Sequence, residues 1–350
     1  MTARIRADLE TVRGYVPGRT VPGAIKLAGN EVPEGPLPSV VAAIADAGAD
    51  ANRYPDIAAT ALVGRLATRL DVPAARLSVG CGSVMLCQQL VQVTCTEADE
   101  VAFAWRSFES YPLVTQVTGA QQRAVALRDD HVHDLDAMLA AITQSTRLVF
   151  VCNPNNPTGT AVRRAELERF LDAVPDGVLV VLDEAYHEFV SDPDIPDGVE
   201  LARDRDNVAV LRTFSKAYGL AGLRVGYCIA PEAVIEALDK VRPPFSVNAV
   251  AQVAALASLD AADEMLARCA GIAVERDLLR DALIDAGYRV PESHANFVWL
   301  PLGERTVQFA QHCLEHKVVV RGFAGDGVRV TVGSPEQNAS FLTAARSFAG

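Results

Sequence analysis

Short, mostly apolar runs alternate with amphipathic stretches between about residues 39 and 245. The clearest runs hold four or five residues each and lie at 100–103, 147–151, 178–182 and 208–211. A strand with one wetted face alternates apolar and polar residues, so a continuous apolar strand is typical of a sheet covered on both faces. The pattern therefore predicts an α/β fold with a mostly parallel central sheet sandwiched by helices.

The pattern changes after Pro243 and Pro244. Two long helical patterns follow at about 247–260 and 262–286, and strand candidates lie near 295–300, 317–321 and 327–332. Strands separated by helices near a C-terminus indicate a smaller α+β domain. The Gly- and Pro-rich start is typical of an arm. We therefore divide the chain into an N-terminal arm that joins the small domain (1–38), a large domain that holds the site described below (39–245) and a small domain (246–350).

Composition and charge exclude several classes of protein. The 350 residues are 50% hydrophobic and 22% charged, which is typical of a folded globular chain. A net charge of −12 repels nucleic acid and anionic membranes. The N-terminus has no apolar run and no stretch approaches the roughly 20 residues of a membrane span. We expect a cytoplasmic protein.

Two groups of residues imitate metal sites. The seven cysteines include no Cys-x-x-Cys pair, which argues against a disulfide framework or a zinc knuckle. The segment 312–316 spells His-x-x-Glu-His, a zinc-protease pattern, but the sequence offers no evident third ligand. The acidic loop 192–198 lacks the final glutamate of a calcium loop. We predict no metal.

Polar side chains follow three of the predicted strands. The first strand precedes Asn-Pro-Asn-Asn-Pro-Thr-Gly at 153–159, the second precedes Asp-Glu-Ala-Tyr at 183–186, and the third precedes Thr-Phe-Ser-Lys at 213–216. Alone, these are commonly a turn, a helix cap and a solvated lysine. However, Asp183 and Lys216 are 33 residues apart, about one β-α-β unit. Ligands of open α/β sheets bind beyond the carboxyl ends of the strands, so an amide, a carboxylate with a phenol, and an amine should meet there.

An amine and a carboxylate that face one pocket suit pyridoxal 5′-phosphate. This cofactor needs a lysine for its aldehyde and an acid for its pyridine nitrogen. Arg224, Thr213 and Ser215 offer donors for its phosphate. The glycines of Gly80-Cys81-Gly82-Ser83 precede a helical pattern and can present backbone N–H groups to an anion. This segment has neither a dinucleotide fingerprint nor a P-loop ending.

The motifs form a set that resembles the class I/II aminotransferases of fold type I. The set comprises Asn-Asn-Pro-Thr-Gly, Asp-Glu-Ala-Tyr and Ser-Lys-x-x-Gly-Leu-x-Gly-x-Arg-x-Gly, and the resemblance covers nearly the whole chain. Within that family the chain is most similar to the histidinol-phosphate and aromatic branch. The segments 27–33 and 105–111 resemble the actinobacterial aromatic (phenylalanine) aminotransferases.

The resemblance implies a role for each cofactor-binding residue. Lys216 bonds the cofactor and later moves the α-proton, and Asp183 pairs with the pyridine nitrogen. Asn156 and Tyr186 hold the 3-oxygen. Phe108 stacks on the ring, where many relatives carry tyrosine. The phosphate is bound by Gly82, Ser83, Thr213, Ser215 and Arg224. Tyr54 reaches the phosphate of a neighbouring subunit, which implies a homodimer.

The resemblance also implies a substrate site. Arg329 clamps the α-carboxylate, and Arg321 matches an arginine that helps hold the substrate phosphate in histidinol-phosphate enzymes. Asn30 and Tyr15 join them from the arm. The predicted reaction moves an amino group between an aromatic L-amino acid and 2-oxoglutarate by a ping-pong mechanism. Histidinol-phosphate amino transfer, decarboxylation on the same fold and a catalytically silent binding protein are the alternatives.

Overall fold

The larger sheet carries the predicted strand ends. The computed structural model describes residues 3, 5, 6, 9, 10, 12, 14, 16 and 18–349. In this part of the chain, seven strands pair in the order β2-β8-β7-β6-β5-β3-β4. Their bounds are β2 (Leu77–Gly80), β3 (Glu100–Trp105), β4 (Gln121–Ala126), β5 (Thr146–Cys152), β6 (Leu179–Asp183), β7 (Val208–Thr213) and β8 (Gly226–Ile229).

The strands β4, β3, β5, β6 and β7 run parallel, and β8 is antiparallel to both of its neighbours. The mostly parallel sheet and the four predicted runs are therefore confirmed. Alternate residues of the central strands belong to different apolar clusters. Val180 and Val210 contribute to one cluster, whereas Val181 and Leu211 contribute to the other. Both faces of the sheet are thus covered.

Helices cover the larger sheet. Their bounds are α1 (Pro38–Ala47), α2 (Thr60–Leu70), α3 (Ser83–Thr94), α4 (Ser110–Thr118), α5 (Leu135–Ala140), α6 (Arg164–Ala173), α7 (Gly198–Ala202), α8 (Glu232–Val241) and α9 (Ala249–Asp260). Asp134, Asp197 and Asn248 cap α5, α7 and α9 with side-chain oxygens that accept backbone N–H groups. These caps fix where the helices begin.

A second sheet closes the site from the other side. Four strands of the described chain pair in the order β1-β10-β11-β9. Their bounds are β1 (Ile25–Leu27), β9 (Phe297–Leu300), β10 (Val318–Phe323) and β11 (Gly327–Thr331). β1 runs parallel to β10, which attaches residues 25–27 of the arm to this sheet. The helices α11 (Thr306–Glu315) and α12 (Pro335–Ala349) pack on it through Phe309 and Phe341.

One long helix connects the two cores. α10 (Ala262–Asp285) contributes Met265 and Cys269 to the first cluster of the larger sheet, and Leu279 and Leu283 to the cluster of the smaller sheet. Both C-terminal helical patterns and the three strand candidates are confirmed as elements. The domain boundary at residue 245 stays a prediction. The helix α9 lies beyond this boundary, but it packs against α1 and α2, which belong to the predicted large domain. None of the described helices is long and apolar enough to cross a membrane.

Candidate active site

A cavity of about 490 Å³ lies between the carboxyl edge of the larger sheet and the smaller sheet. Most of the site residues predicted from the sequence line it. They are Asn30, Ser83, Phe108, Asn156, Asp183, Tyr186, Thr213, Ser215, Lys216, Arg224, Arg321 and Arg329. The fold therefore brings together residues that lie up to 299 positions apart in the chain.

Asp183 is the last residue of β6 and is only 2% exposed. The Tyr111 hydroxyl donates to its Oδ2 at 2.7 Å, whereas Oδ1 is buried and has no hydrogen-bond partner among the described residues. Burial raises the pKa of Asp183 to about 6, although the Tyr111 hydrogen bond opposes the shift. A buried polar atom without a partner needs an explanation, and a ligand N–H that binds Oδ1 supplies one.

Lys216 lies three residues beyond the end of β7, and its side chain reaches the cavity. Its Nζ donates to the carbonyl oxygen of Gly29 at 3.1 Å. Loss of surrounding water, together with the positive charges of Arg329 and Arg224, lowers the pKa of Lys216 to about 7. Near neutral pH a substantial share of the amine is therefore neutral, which is the form that attacks a carbonyl carbon or accepts a proton.

Beside this lysine, Arg224, Ser215, Thr213 and the backbone at 82 and 83 form a cup that can bind an anion. The Arg224 Nη1 donates to Ser215 Oγ at 3.3 Å, and the backbone N–H of Ser215 donates to Thr213 Oγ1 at 3.1 Å. Gly82 directly precedes α3 at a φ of 77°, and a Cβ there would collide with the Arg224 guanidinium. The positive φ favours glycine here, and the missing side chain lets the Arg224 guanidinium lie close to the backbone. The N-terminus of α3, at Ser83, adds the positive end of a helix dipole.

The smaller sheet supplies two arginines. Arg321 on β10 and Arg329 on β11 are directly opposite each other in the antiparallel register. Arg329 donates to the side-chain oxygen of Asn156 and, at 2.8 Å, to the carbonyl oxygen of Ala28. Arg321 donates to Glu109 Oε2 at 2.7 Å. Both arginines are thus positioned by hydrogen bonds to parts of the chain outside their own sheet strands.

Asn30 links the arm to both sheets. It is 1% exposed and has a φ of 54°. Its Nδ2 donates to Tyr186 Oη at 2.8 Å, and its backbone N–H donates to Thr331 Oγ1 at 2.9 Å. Tyr186 is buried edge-on against Phe297, and this burial raises its pKa. The arm therefore holds the phenol in place at the cavity wall.

Two predicted residues that the structure describes do not line this cavity. Gly82 lies behind the cup, against Arg224. Tyr54 is 84% exposed and stacks on Phe245 at 4.7 Å, so its role toward a neighbouring subunit stays a prediction. Tyr15 lies outside the described residues.

Sequence analysis missed two residues of the site. Tyr111, which holds Asp183, has its ring stacked on Phe150 at 4.4 Å. Glu109, which holds Arg321, lines the cavity one residue before α4. Both lie in the segment 105–111, which carried a resemblance. However, an aromatic residue near the start of a helix is equally typical of an ordinary core position, so the sequence does not mark Tyr111 as part of a site.

The metal-like motifs have other partners. The Nε2 of His312 lies 2.9 Å from Ser347 Oγ, on the side of α11 that faces α12. Among the described residues, Asp192, Glu292 and His294 come close enough to share an ion. However, Arg163 pairs with Asp192 and, at 3.4 Å, with Glu292, so a guanidinium already supplies positive charge there.

The donor set fits the cofactor expected from the sequence. Pyridoxal 5′-phosphate presents a pyridine nitrogen, an aldehyde and a phosphate. The unpartnered Oδ1 of Asp183, the amine of Lys216 with its lowered pKa and the cup around Arg224 offer one matching group to each of these. All three lie at the edge of the larger sheet.

Comparisons with known proteins identify the family of the chain. The model of the family Aminotransferase class I and II matches residues 22–344. The chain therefore belongs to the class I and II aminotransferases. An aromatic amino acid aminotransferase of Rhodococcus jostii is 62% identical over 347 residues, covering 99% of this chain and 96% of that protein. One of Streptomyces coelicolor is 57% identical over 349 residues, covering 99% and 97%.

A solved structure shows the same fold. The histidinol-phosphate aminotransferase of Sinorhizobium meliloti, in complex with pyridoxal 5′-phosphate, superimposes with a TM-score of 0.90 at 28% identity. The match covers 100% of this chain and 98% of that one. The fold class predicted from the sequence, a fold type I transferase with a mostly parallel sheet, is confirmed.

Proposed function

We propose that this pyridoxal-phosphate-dependent aminotransferase moves the amino group between an aromatic L-amino acid and 2-oxoglutarate by a ping-pong mechanism. The observation that carries the proposal is the meeting of Lys216, Asp183 and Arg329 in one cavity. Membership of the aminotransferase family supports the reaction class. The aromatic substrate is supported by relatives named aromatic amino acid aminotransferases at 57–62% identity.

The cofactor, when bound, withdraws electrons from the bonds at the substrate α-carbon. Asp183 Oδ1 would receive its pyridine N–H, and Lys216 would hold its aldehyde carbon. Arg224, Ser215, Thr213 and the backbone at 82 and 83 would hold its phosphate. Since the amide oxygen of Asn156 accepts from Arg329, its amide nitrogen would donate to the 3-oxygen together with the Tyr186 hydroxyl. Phe108 would lie against the ring.

The chain's own groups perform the proton transfer. Arg329 binds the α-carboxylate through two parallel N–H groups, which fixes the α-carbon relative to Lys216. The neutral amine of Lys216 then removes the α-proton. A base whose pKa is about 7 suits this step, because near neutral pH it can both accept and return a proton.

The direct test loads the purified chain with pyridoxal 5′-phosphate and supplies L-phenylalanine and 2-oxoglutarate. We expect equal amounts of phenylpyruvate and glutamate, and initial rates that give parallel double-reciprocal lines. Absence of amino transfer across a panel of amino acids would favour the silent binding protein. Carbon dioxide released without need of the oxo acid would favour a decarboxylase.

Histidinol-phosphate amino transfer is the second candidate. It is supported by the Sinorhizobium structure and by the presence of Arg321 in the cavity. Single-turnover reactions with L-phenylalanine and with histidinol phosphate separate the two candidates. If only the phosphate ester converts the bound cofactor to its amine form, the aromatic assignment is wrong.

We also propose a cytoplasmic homodimer in which Tyr54 reaches the neighbouring subunit's phosphate. Tyr54 and Phe245 form a stacked aromatic pair that is 84% and 41% exposed, and exposed aromatic surface is typical of an interface. Light scattering after size exclusion should give twice the chain mass of 37.3 kDa. A mass of a single chain at micromolar concentration would contradict the dimer.

A further inference from the structure

Glu109 and Arg321 form an ion pair inside the cavity. The Arg321 Nη2 lies 2.7 Å from Glu109 Oε2, and the two side chains are 15% and 30% exposed. The pair joins the start of α4 to β10 across 212 positions of the chain. Because the pair is partly buried, salt screens it less than it screens an ion pair on the open surface.

The other cationic side chains that line the cavity have other assignments. Lys216 and Arg224 face the cofactor groups, and Arg329 faces the α-carboxylate in the proposed function. Lys26 lies 3.0 Å from the carboxylate of Glu31. Among the described residues that line the cavity, Arg321 is therefore the cation left for a second negative charge on the substrate, and its guanidinium is held by Glu109.

The register of the smaller sheet places the two arginines side by side on neighbouring strands. Residues opposite each other on antiparallel strands have Cβ atoms about 4.5–5.5 Å apart. Arg321 and Arg329 occupy such a pair of positions. Together they would hold a doubly charged phosphate well, but the Glu109 carboxylate would lie next to that phosphate and repel it.

We propose that Glu109 is a specificity-determining residue that makes this wall selective for a singly charged carboxylate over a phosphate ester. The inference rests on the proposed function, since it concerns what Arg329 and Arg321 bind. A phosphate monoester dianion must separate Arg321 from Glu109 and leave that carboxylate unpaired beside two negative charges. A carboxylate can bind through Arg329 alone and leaves the Arg321–Glu109 pair in place. Discrimination thus comes from a repulsive group as well as from an attractive one.

The test compares two ligands that lack an amine and cannot react. Binding of 3-phenylpropanoate and 3-phenylpropyl phosphate to the cofactor-loaded enzyme is followed by calorimetry. The wild-type chain should bind the carboxylate more tightly. Glu109→Gln should strengthen phosphate-ester binding about tenfold or more, while carboxylate binding should change by no more than about threefold. Equal changes for both ligands, or no change for either, would overturn the proposal.

Two further variants control the test. Asp326→Asn removes one carboxylate from the turn between β10 and β11, where it pairs with Arg106 rather than Arg321. If this variant gains the same phosphate affinity, general charge and not the Glu109 pair is responsible, and the proposal fails. Adding Arg321→Gln to Glu109→Gln should remove the gained affinity, because the freed guanidinium is its source. Retention of the gain would likewise overturn it.

This result is distinguishable from failure of the proposed function. Turnover of L-phenylalanine by the wild-type chain is measured separately. If that turnover is absent while the two ligands respond as expected, the preference set by Glu109 still holds. The substrate is then a carboxylate other than L-phenylalanine. If turnover is present and Glu109→Gln leaves the ligand preference unchanged, only the inference about Glu109 is wrong.

Discussion

The two sides of the cavity are built in different ways. The side proposed to hold the cofactor, the cofactor side, contains three residues at one edge of the larger sheet: Asp183 ends β6, Lys216 follows β7 and Arg224 precedes β8. The substrate side contains Arg321 and Arg329, which lie opposite each other within an antiparallel pair. On the first side, burial shifts the pKa values of an acid and an amine to about 6 and about 7. On the second side, hydrogen bonds to distant segments position the two guanidinium groups.

The two sides therefore control different properties of the enzyme. Perturbed pKa values prepare groups for proton transfer and covalent chemistry, so the cofactor side determines what reaction is possible. A guanidinium presents N–H donors in a planar fork that matches a carboxylate or a phosphate, so the substrate side determines which molecules bind. Variants on the first side should change kcat, and variants on the second should change KM.

The largest effect is expected from Lys216→Ala. Loss of the base should lower kcat by about 10³-fold or more, near the upper range of general acid–base catalysis. Steady-state amino transfer measures it. Lys240→Ala, on an exposed part of α8, is the matched control and should retain full activity. A Lys216→Ala variant with ordinary turnover would refute the role of the cofactor side.

A pH profile tests the same side without turnover. In the cofactor-free chain, labelling of Lys216 by an amine-directed reagent should be half-maximal near pH 7, against 10.5 for an ordinary lysine. The folded chain therefore releases this proton at lower pH than the unfolded chain does. As a result, stability should rise with pH between about 7 and 10.5 through this group. Peptide mapping of the label gives the midpoint, and a value near 10 would contradict the environment described here.

Arg329→Gln tests the substrate side. The change removes the charge and the two-pronged geometry that suit a carboxylate, so KM for L-phenylalanine should rise about 100-fold, as expected for loss of charged hydrogen bonds. The kcat at saturating substrate should fall much less. A variant that loses kcat while KM stays constant would place Arg329 on the chemical step and break the division between the two sides.

The smallest effect is expected from Tyr111→Phe. Without the hydroxyl, the pKa of Asp183 should rise further, because that hydrogen bond now lowers it. The carboxylate form would be less populated, and kcat should fall about fivefold, consistent with loss of about 1 kcal/mol. The loss should be larger at pH 6 than at pH 8.

A matched control for this variant is Tyr288→Phe. It removes a buried hydroxyl that donates to Ala345 in the small domain, far along the chain from Asp183. This variant should unfold at a lower temperature and keep its pH profile. If both variants change the profile alike, the effect of Tyr111 is not specific to Asp183.

Much of the cofactor side could be predicted from the sequence because each part of it is a short contiguous motif at a strand end. Asp183 and Lys216 follow continuous apolar runs, and parallel strands bring their carboxyl ends to one edge. The sequence analysis missed the strands that lack a long continuous apolar run. β4 is largely exposed at the sheet edge, and β2 and β8 are only four residues long.

The substrate side could be predicted only in part. Arg329 was found through a motif, but nothing in the local pattern pairs Arg321 with Glu109, since that contact depends on how β10 packs against the start of α4. The link between Tyr111 and Asp183 likewise joins residues 72 positions apart. Long-range polar contacts of this kind follow from tertiary packing and leave no periodic trace in the sequence.

One measurement tests the central claim most directly, that the edge of the larger sheet holds the cofactor through Lys216. The cofactor-loaded chain is reduced with sodium borohydride, digested and mapped by mass spectrometry. We predict the pyridoxyl group on the peptide that contains Lys216. Lys26 also lines the cavity and serves as the internal control. A pyridoxyl group on Lys26, or on no lysine, would contradict the account.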